Sequence, residues 1–449
     1  MKPWMMAGLL AVVCLITYWP QKNAGFVLDD FYTVVRDPLI KNPSLYHNIW
    51  TSRLFDAHRS SGYIRFGYYR PVLQSSWILD YRLFGLKAPG YQWLDLLIHA
   101  LNCFFIYILL WQLFGSGPLA IKASLFFAVL PTQEWVVRYV TGRGDELSAM
   151  FGLMALLSLL WVLKTGKQKG YFFVLLCWAI SALTREVAIS YILYAFLIYY
   201  SFPLREEGKG GGINRFCFYW FLIGALPFLV LWTNIPKQGN ILVFHVLYFA
   251  SIGLCLWLAQ FRSRWFIVLF ALFFSVSFYQ GRFWTTEETL LRHTRSLELW
   301  PRTVVAQQLM MKYDDNIPAI KDMVSHSPDP HLKAMWLRRL GVVYFGLKDM
   351  SKAQEYLEEA LSENPVDVDT LDALAVVYHQ QGEEELSLKI LDRSLEIDPS
   401  YPDTLRTLGI HYFLQKDLSK ARIYLNRCLY FEPANAQALE LLRLANNTN

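Results

Sequence analysis

Apolar runs recur along the first 280 residues of the chain and then stop. Each is near the length of roughly 17 to 25 residues that a helix needs to cross a bilayer. They lie at Trp4 to Pro20 and at about 92–114, 118–137, 147–163, 170–183, 187–202, 215–233, 241–260 and 264–279, which predicts about nine spans. The first has no small-residue cleavage site and reads as an uncleaved span. The run from 170 to 202 is interrupted by Thr184, Arg185 and Glu186, so it reads either as a hairpin of two short spans or as one oversized helix.

Basic residues choose between those two. The loops "KTGKQK" (164–169), "PLREEGKGGGINR" (203–215) and the segment holding Arg262 and Arg264 are all basic. A hairpin places all three on the side of Lys2, the cytoplasmic one, whereas a single helix moves the later two across. The hairpin therefore fits. With the N-terminus inside, the loop 21–91, the short loops near 138–147, 184–187 and 234–240, and everything after residue 280 are predicted to be extracytoplasmic.

Beyond residue 283 the pattern changes to a repeat of period 34. Tyr344, Tyr378 and Tyr412 keep that spacing, as do Pro365, Pro399 and Pro433. Leu340–Gly341, Leu374–Ala375 and Leu408–Gly409 hold the same register, and the small residues Ala353, Ser387 and Ala421 recur where two helices must come close. This is the tetratricopeptide pattern of paired helices, which forms solenoids that bind peptides or proteins and rarely do chemistry. The predicted fold is all-α: a polytopic membrane helix bundle over 1–282 with its first extracytoplasmic loop at 21–91, degenerate connecting repeats at 283–333, and tetratricopeptide repeats with a capping helix over 334–449.

Composition agrees with that division. The chain is 54% hydrophobic and only 18% charged, with mean hydropathy +0.25, too apolar for a protein without a membrane part. Its net charge of +5 is spread without a long Lys/Arg block, which argues against nucleic acid as a partner. Six cysteines show no CxxC or metal-ligand spacing, so neither disulfides nor a zinc site is expected.

Charged residues gather at the predicted outer ends of the spans. Asp29 and Asp30 open the first loop in "GFVLDDFYTVVRDP", and Arg70 sits in "YYRP". Glu134, Arg138, Arg143, Asp145 and Glu146 fall in "PTQEWVVRYVTGRGDELSA", and Arg185 and Glu186 in "LTREVA". Ionisable groups near lipid are functional candidates by default. Arg138, Arg185 and Glu186 read equally as span-flanking residues, and His99 reads as a helix-packing histidine with Asp95 as its neighbour one turn earlier. The combination suits a lipid-phosphate donor. Guanidinium groups hold a departing phosphate, and a carboxylate accepts the proton of an incoming hydroxyl.

In motif order and repeat tail, the chain resembles the tetratricopeptide-repeat transmembrane O-mannosyltransferases, multi-span glycosyltransferases of the GT-C architecture. The matching stretches are "FVLDD" with Asp37–Pro38, "YRP", Pro131 with Glu134, "GRGDELSA", "REVA" and "FWTTEETLLRH". The resemblance implies transfer of a sugar, mannose in that family, from a polyprenyl- or dolichyl-phosphate carrier to a hydroxyl of an extracytoplasmic protein or glycan. It implies Asp29 as the leading base, and Asp30 as a second carboxylate that orients the site or binds a divalent metal. Arg70, Arg143 and Arg185 would contact the lipid phosphate, with Glu134 and Asp145 positioning sugar or arginine. Three places depart from the family's usual text: "GRGD" stands where "GRAD" is common, "RDP" where an Asn-containing turn usually follows the acidic pair, and Arg185 where lysine is commoner.

Such a protein would sit in a bacterial inner membrane with its repeats in the periplasm, or in the endoplasmic reticulum with its repeats in the lumen, and the repeats would bind the protein acceptor or a partner. The rival reading is a membrane-anchored, non-enzymatic repeat scaffold for envelope or lumenal protein assembly. A polysaccharide ligase or a lipid-linked substrate transporter is a third.

Overall fold

The computed structural model describes residues 3–19, 24–27, 30–35, 37–51, 69–201, 212–232, 247–285, 317–326, 330–433 and 435–447. Among them every regular element is helical and there is no strand. They form two compact units, one of residues 3–35 and 69–285, the other of residues 37–51 and 317–447.

In the first unit, helices Ala88–Phe114, Val140–Thr165 and Ser263–Trp284 are long and apolar enough to cross a membrane. Pro3–Tyr18, Gly117–Val129, Gly170–Thr184 and Glu186–Tyr200 are shorter apolar helices. Nine spans are thus not reached among the described residues, and local chemistry accounts for one of the differences. The run expected at 118–137 stops at Val129, where Leu130 turns extended ahead of Pro131, whose ring and missing N–H end the helix. The run 170–202 does break as a hairpin would. Arg185 is extended at φ −160° and ψ 145° between the Gly170–Thr184 and Ser190–Ser201 helices. Part of the run at 241–260 lies outside the described residues.

The core of this unit is a continuous apolar cluster from Met6 and Leu10 through Phe126, Phe127 and Leu153 to Trp220 and Ile252. Its outer faces remain apolar. Ser263–Gln280 exposes Trp265, Ile267, Val268 and Leu272, and only 11% of its apolar window is buried. A soluble protein does not leave such faces in water, whereas a bilayer covers them.

In the second unit the repeats pair as Pro330–Gly346 with Met350–Glu363, Val368–Gln381 with Glu384–Ile397, and Pro402–Leu414 with Leu418–Phe431, closed by Ala436–Asn447. The small residues act as the spacing predicts. Ala353, Ser387 and Ala421 are buried, and a Cβ on Gly341 or Gly409 would strike Leu357 or Leu425 of the paired helix. Each turn passes through a left-handed residue at the same register: Lys348 (φ 62°), Gly382 (φ 84°) and Lys416 (φ 62°). Most of the connecting segment 283–333 lies outside the described residues.

Two segments of the first loop part company. "PVLQSSWILDYRLFG" forms the Pro71–Phe84 helix of the first unit, ended by Gly85 at φ 60°. "SLYHNIW" forms the tight helix Pro43–Trp50, capped by Asn42, and belongs to the unit of the repeats. There Lys41 pairs with Glu432 at 3.2 Å, and the Asn42 amide donates to the Tyr430 carbonyl.

Candidate functional site

Where the Pro71–Phe84, Ala88–Phe114 and Arg143–Thr165 helices meet, the first unit buries carboxylates and guanidinium groups among apolar residues. Burying charge without partners costs several kcal/mol per ion, on the order of the loss seen when a buried pair is broken. Most of these groups answer that cost by pairing.

Asp30 is buried and accepts three hydrogen bonds that tie the first loop to the turn before the long helix. The Thr141 N–H donates to Oδ1 at 2.8 Å and the Thr141 hydroxyl to the same atom at 2.7 Å, while the Val27 N–H donates to Oδ2 at 3.1 Å. Thr33, in the single π-turn Phe31–Val35, adds a hydroxyl contact to Thr141 at 3.0 Å. Asp29, the leading residue of the sequence reading, lies outside the described residues.

Arg143 is one of the largest fully buried side chains of the molecule. Its Nε donates to Asp95, its Nη1 to Asp80, and its Nη2 to the Tyr91 carbonyl at 3.0 Å. Two carboxylates thus share one guanidinium. Burial pushes the Asp80 carboxyl up to about 6 even though Arg143 pulls the other way. The sequence reading did not single out Asp80. Asp95 proves to be a partner of Arg143, whereas His99 meets the Tyr248 hydroxyl at 2.8 Å.

The other candidates pair in the same manner. Arg70 makes a two-pronged contact to Glu186, Nε to Oε1 at 3.0 Å and Nη2 to Oε2 at 2.6 Å. Arg185 meets Asp145 at 2.8 Å. Glu134 accepts from Arg138 at 2.6 Å, and the same guanidinium also reaches the Thr17 and Trp19 carbonyls. Of these acidic partners only Glu186 is substantially exposed, at 52% of its side chain. Glu146 is buried, and neither of its carboxylate oxygens has a hydrogen-bond partner.

Two of the departures from the family's text are neighbours in space. A Cβ on Gly144 would lie 3.3 Å from Arg185 Nη1 and 3.2 Å from Leu73 Cδ2. Glycine in "GRGD" therefore leaves space for the longer, forked arginine in "REVA". Gly142 is constrained as well, since a Cβ there would press on the Trp135 carbonyl at 2.9 Å.

Beside residues 24–26 a cleft of about 630 Å³ opens, lined by Trp19, Phe26, Lys87 and Trp93 among others. Its aromatic walls and single ammonium group make it amphipathic. No motif pointed to Lys87; its place follows from the turn after Gly85.

Comparison with known proteins agrees with this picture. The tetratricopeptide repeat family profile matches residues 339–367 and 368–401. A protein O-mannosyl-transferase of Caenorhabditis elegans is 27% identical over 236 residues, 50% of this chain and 31% of that protein. The chain is thus similar both to proteins named protein O-mannosyl-transferases and, in its tail, to tetratricopeptide repeats. The human protein O-mannosyl-transferase TMTC3 is 31% identical over 157 residues, 33% of this chain and 16% of that one, and a Xenopus laevis relative is 31% identical over 186 residues. The chain spans about a third or less of the length of these relatives. The solved oligosaccharyltransferase of Archaeoglobus fulgidus overlays 99% of this chain and 56% of its own, with 11% identity and a TM-score of 0.33, too distant to argue a shared fold.

Proposed function

We propose that the chain is an integral-membrane glycosyltransferase that moves a sugar from a polyprenyl-phosphate carrier to a hydroxyl of an extracytoplasmic protein or glycan, with the repeats holding the acceptor or a partner. The observation that carries this reading is the pairing of Arg70 with Glu186, a forked guanidinium whose carboxylate partner is half exposed. A phosphate can replace such a carboxylate, because both accept two parallel N–H bonds.

In this reading Asp29 takes the proton from the acceptor hydroxyl, whose oxygen attacks the anomeric carbon. The bond from that carbon to the phosphate oxygen breaks, and the phosphate leaves with the electron pair and with inversion. Asp30, with its oxygens engaged by Val27 and Thr141, orients this segment. Arg70 and Arg185 receive the phosphate. Arg143, held between Asp80 and Asp95, together with Glu134 and Asp145, fixes the framework. The aromatic cleft beside Phe26 and Lys87 suits a carrier's isoprene units and head group. Sidedness supports the assignment too. Residues 41–42 contact the last repeat, so this part of the first loop and the repeats share one face of the membrane.

The test is transfer from a polyprenyl-phosphate mannose by the purified full chain in detergent. Asp29→Asn is expected to abolish transfer while leaving the melting profile unchanged; undiminished transfer refutes the assignment. A second reading has its own support, because Arg70, Arg138, Arg143 and Arg185 all already hold carboxylates, as in a purely structural domain. A membrane-anchored scaffold of that kind tolerates Arg70→Gln functionally and fails instead when the repeats are altered.

A further inference from the structure

Two histidines and a glutamate meet on the repeat unit, away from the groups discussed so far. His379 lies in the last turn of the Val368–Gln381 helix. The chain then reverses through Gly382 at φ 84°, a left-handed turn that brings Glu384, the first residue of the next helix, back against it. His411 comes from the Pro402–Leu414 helix of the following repeat. His379 Nδ1 lies 2.8 Å from Glu384 Oε1, and His411 Nδ1 lies 3.1 Å from Glu384 Oε2. The two rings meet edge to face with centroids 6.1 Å apart.

One potential donor atom from each residue falls within 4.8 Å of the others. His379 Nδ1 and Glu384 Oε2 are buried atoms with no aligned hydrogen bond, so the close approach does not satisfy them. An imidazole nitrogen offers a lone pair, and a converging set of two imidazoles and one carboxylate is the donor chemistry of zinc and its neighbours.

We propose that His379, Glu384 and His411 bind a divalent transition-metal ion that ties the second tetratricopeptide repeat to the third. The ligands come from two repeats, so the ion adds a link between helices already joined by packing and by the Ser394–Thr404 hydroxyl contact at 2.8 Å, and binding stabilises that junction by mass action. Three protein ligands leave a fourth position of a tetrahedral ion open to water or to a side chain of a bound partner. This departs from the expectation that no zinc site would be present. That expectation rested on linear spacing, and these ligands are brought together only by a tight turn and by stacking of the next repeat.

The experiment uses the full chain purified in detergent without a histidine tag and stripped with chelator. Zn²⁺ is titrated by calorimetry, Co²⁺ by visible absorption, and melting is followed with and without Zn²⁺. One Zn²⁺ per chain is expected at this site, with a Co²⁺ spectrum typical of nitrogen and oxygen ligands and a higher melting temperature for the loaded protein. His379→Gln and Glu384→Gln are expected to weaken binding by more than the roughly tenfold loss typical of disturbing an outer-shell partner. Their metal-free melting should match the unsubstituted chain, which separates lost ligation from misfolding. Absence of binding, affinity unchanged in both variants, or a thiolate charge-transfer band placing the ion at the Cys14–His99–Cys103 cluster would each overturn the proposal.

Discussion

Asp30 and Thr141 are joined twice, backbone N–H and hydroxyl both donating to one carboxylate oxygen at 2.8 and 2.7 Å. This pair pins the acidic opening of the first loop to the turn that launches the Arg143–Thr165 helix. Removing the hydroxyl with Thr141→Val leaves the N–H bond in place. It should therefore cost about 1.5 to 3 kcal/mol, the range for one hydrogen bond to a charged group. Asp30→Ala, which leaves the donors of Val27 and Thr141 buried and unmatched, should cost more. Thermal melting in detergent checks both, and equal losses from the two changes would count against the pairing as the anchor.

Gly144 and Arg185 should be energetically coupled. Gly144→Ala pushes a methyl toward Arg185 Nη1 and disturbs its pairing with Asp145. Arg185→Lys withdraws the fork and removes that conflict, although Leu73 remains close. A double-mutant cycle on melting stability should return a coupling of roughly 0.5 kcal/mol or more, in the range for residues in contact. Strict additivity would mean that the two substitutions do not compensate one another.

The repeat turns offer a stabilising change. Lys348 and Lys416 take the left-handed conformation that Gly382 takes at the same register. A residue with a Cβ pays roughly 1 kcal/mol or more there. Lys348→Gly and Lys416→Gly should each raise the melting temperature of the repeats by a few degrees, less the extra chain entropy of glycine in the unfolded state. A fall in both variants would show that contacts of the lysine stems outweigh the backbone term.

Asp372 supplies a pH dependence. Burial, with a smaller contribution from the Asp403 charge, pushes its carboxyl up to about 7, against an ordinary value of 3.8. Between those values the folded chain keeps a proton that the unfolded chain has lost, so stability falls as pH rises from about 4 to 7. Its contribution is fully present below 4. Asp372→Asn mimics the protonated form and should melt like the unsubstituted chain near pH 4 but higher at pH 7.5. A difference between the two proteins that stays constant with pH would contradict this.

Much of this architecture was legible from residue order alone, because it depends on local periodicity. Apolar runs marked the membrane-capable helices and Arg185 stood where one run breaks, whereas the stop ahead of Pro131 fell inside a predicted span. The period of 34 placed the repeat pairs and the small residues at their contacts, since each unit repeats the same close approach. Side-chain partnership was not legible, because it links positions distant along the chain. Arg143 could be recognised as a charged group at a span end, but only packing of three helices decided that Asp80 and Asp95 hold it. The same holds for residues 37–51, which sit in the first loop yet pack on the last repeat through Lys41 and Asn42. Residue order alone determined the helices, because hydrophobic pattern and backbone chemistry act over a few residues. Tertiary structure decided which charges meet, because desolvation forces each buried ion to find whichever opposite group folding delivers.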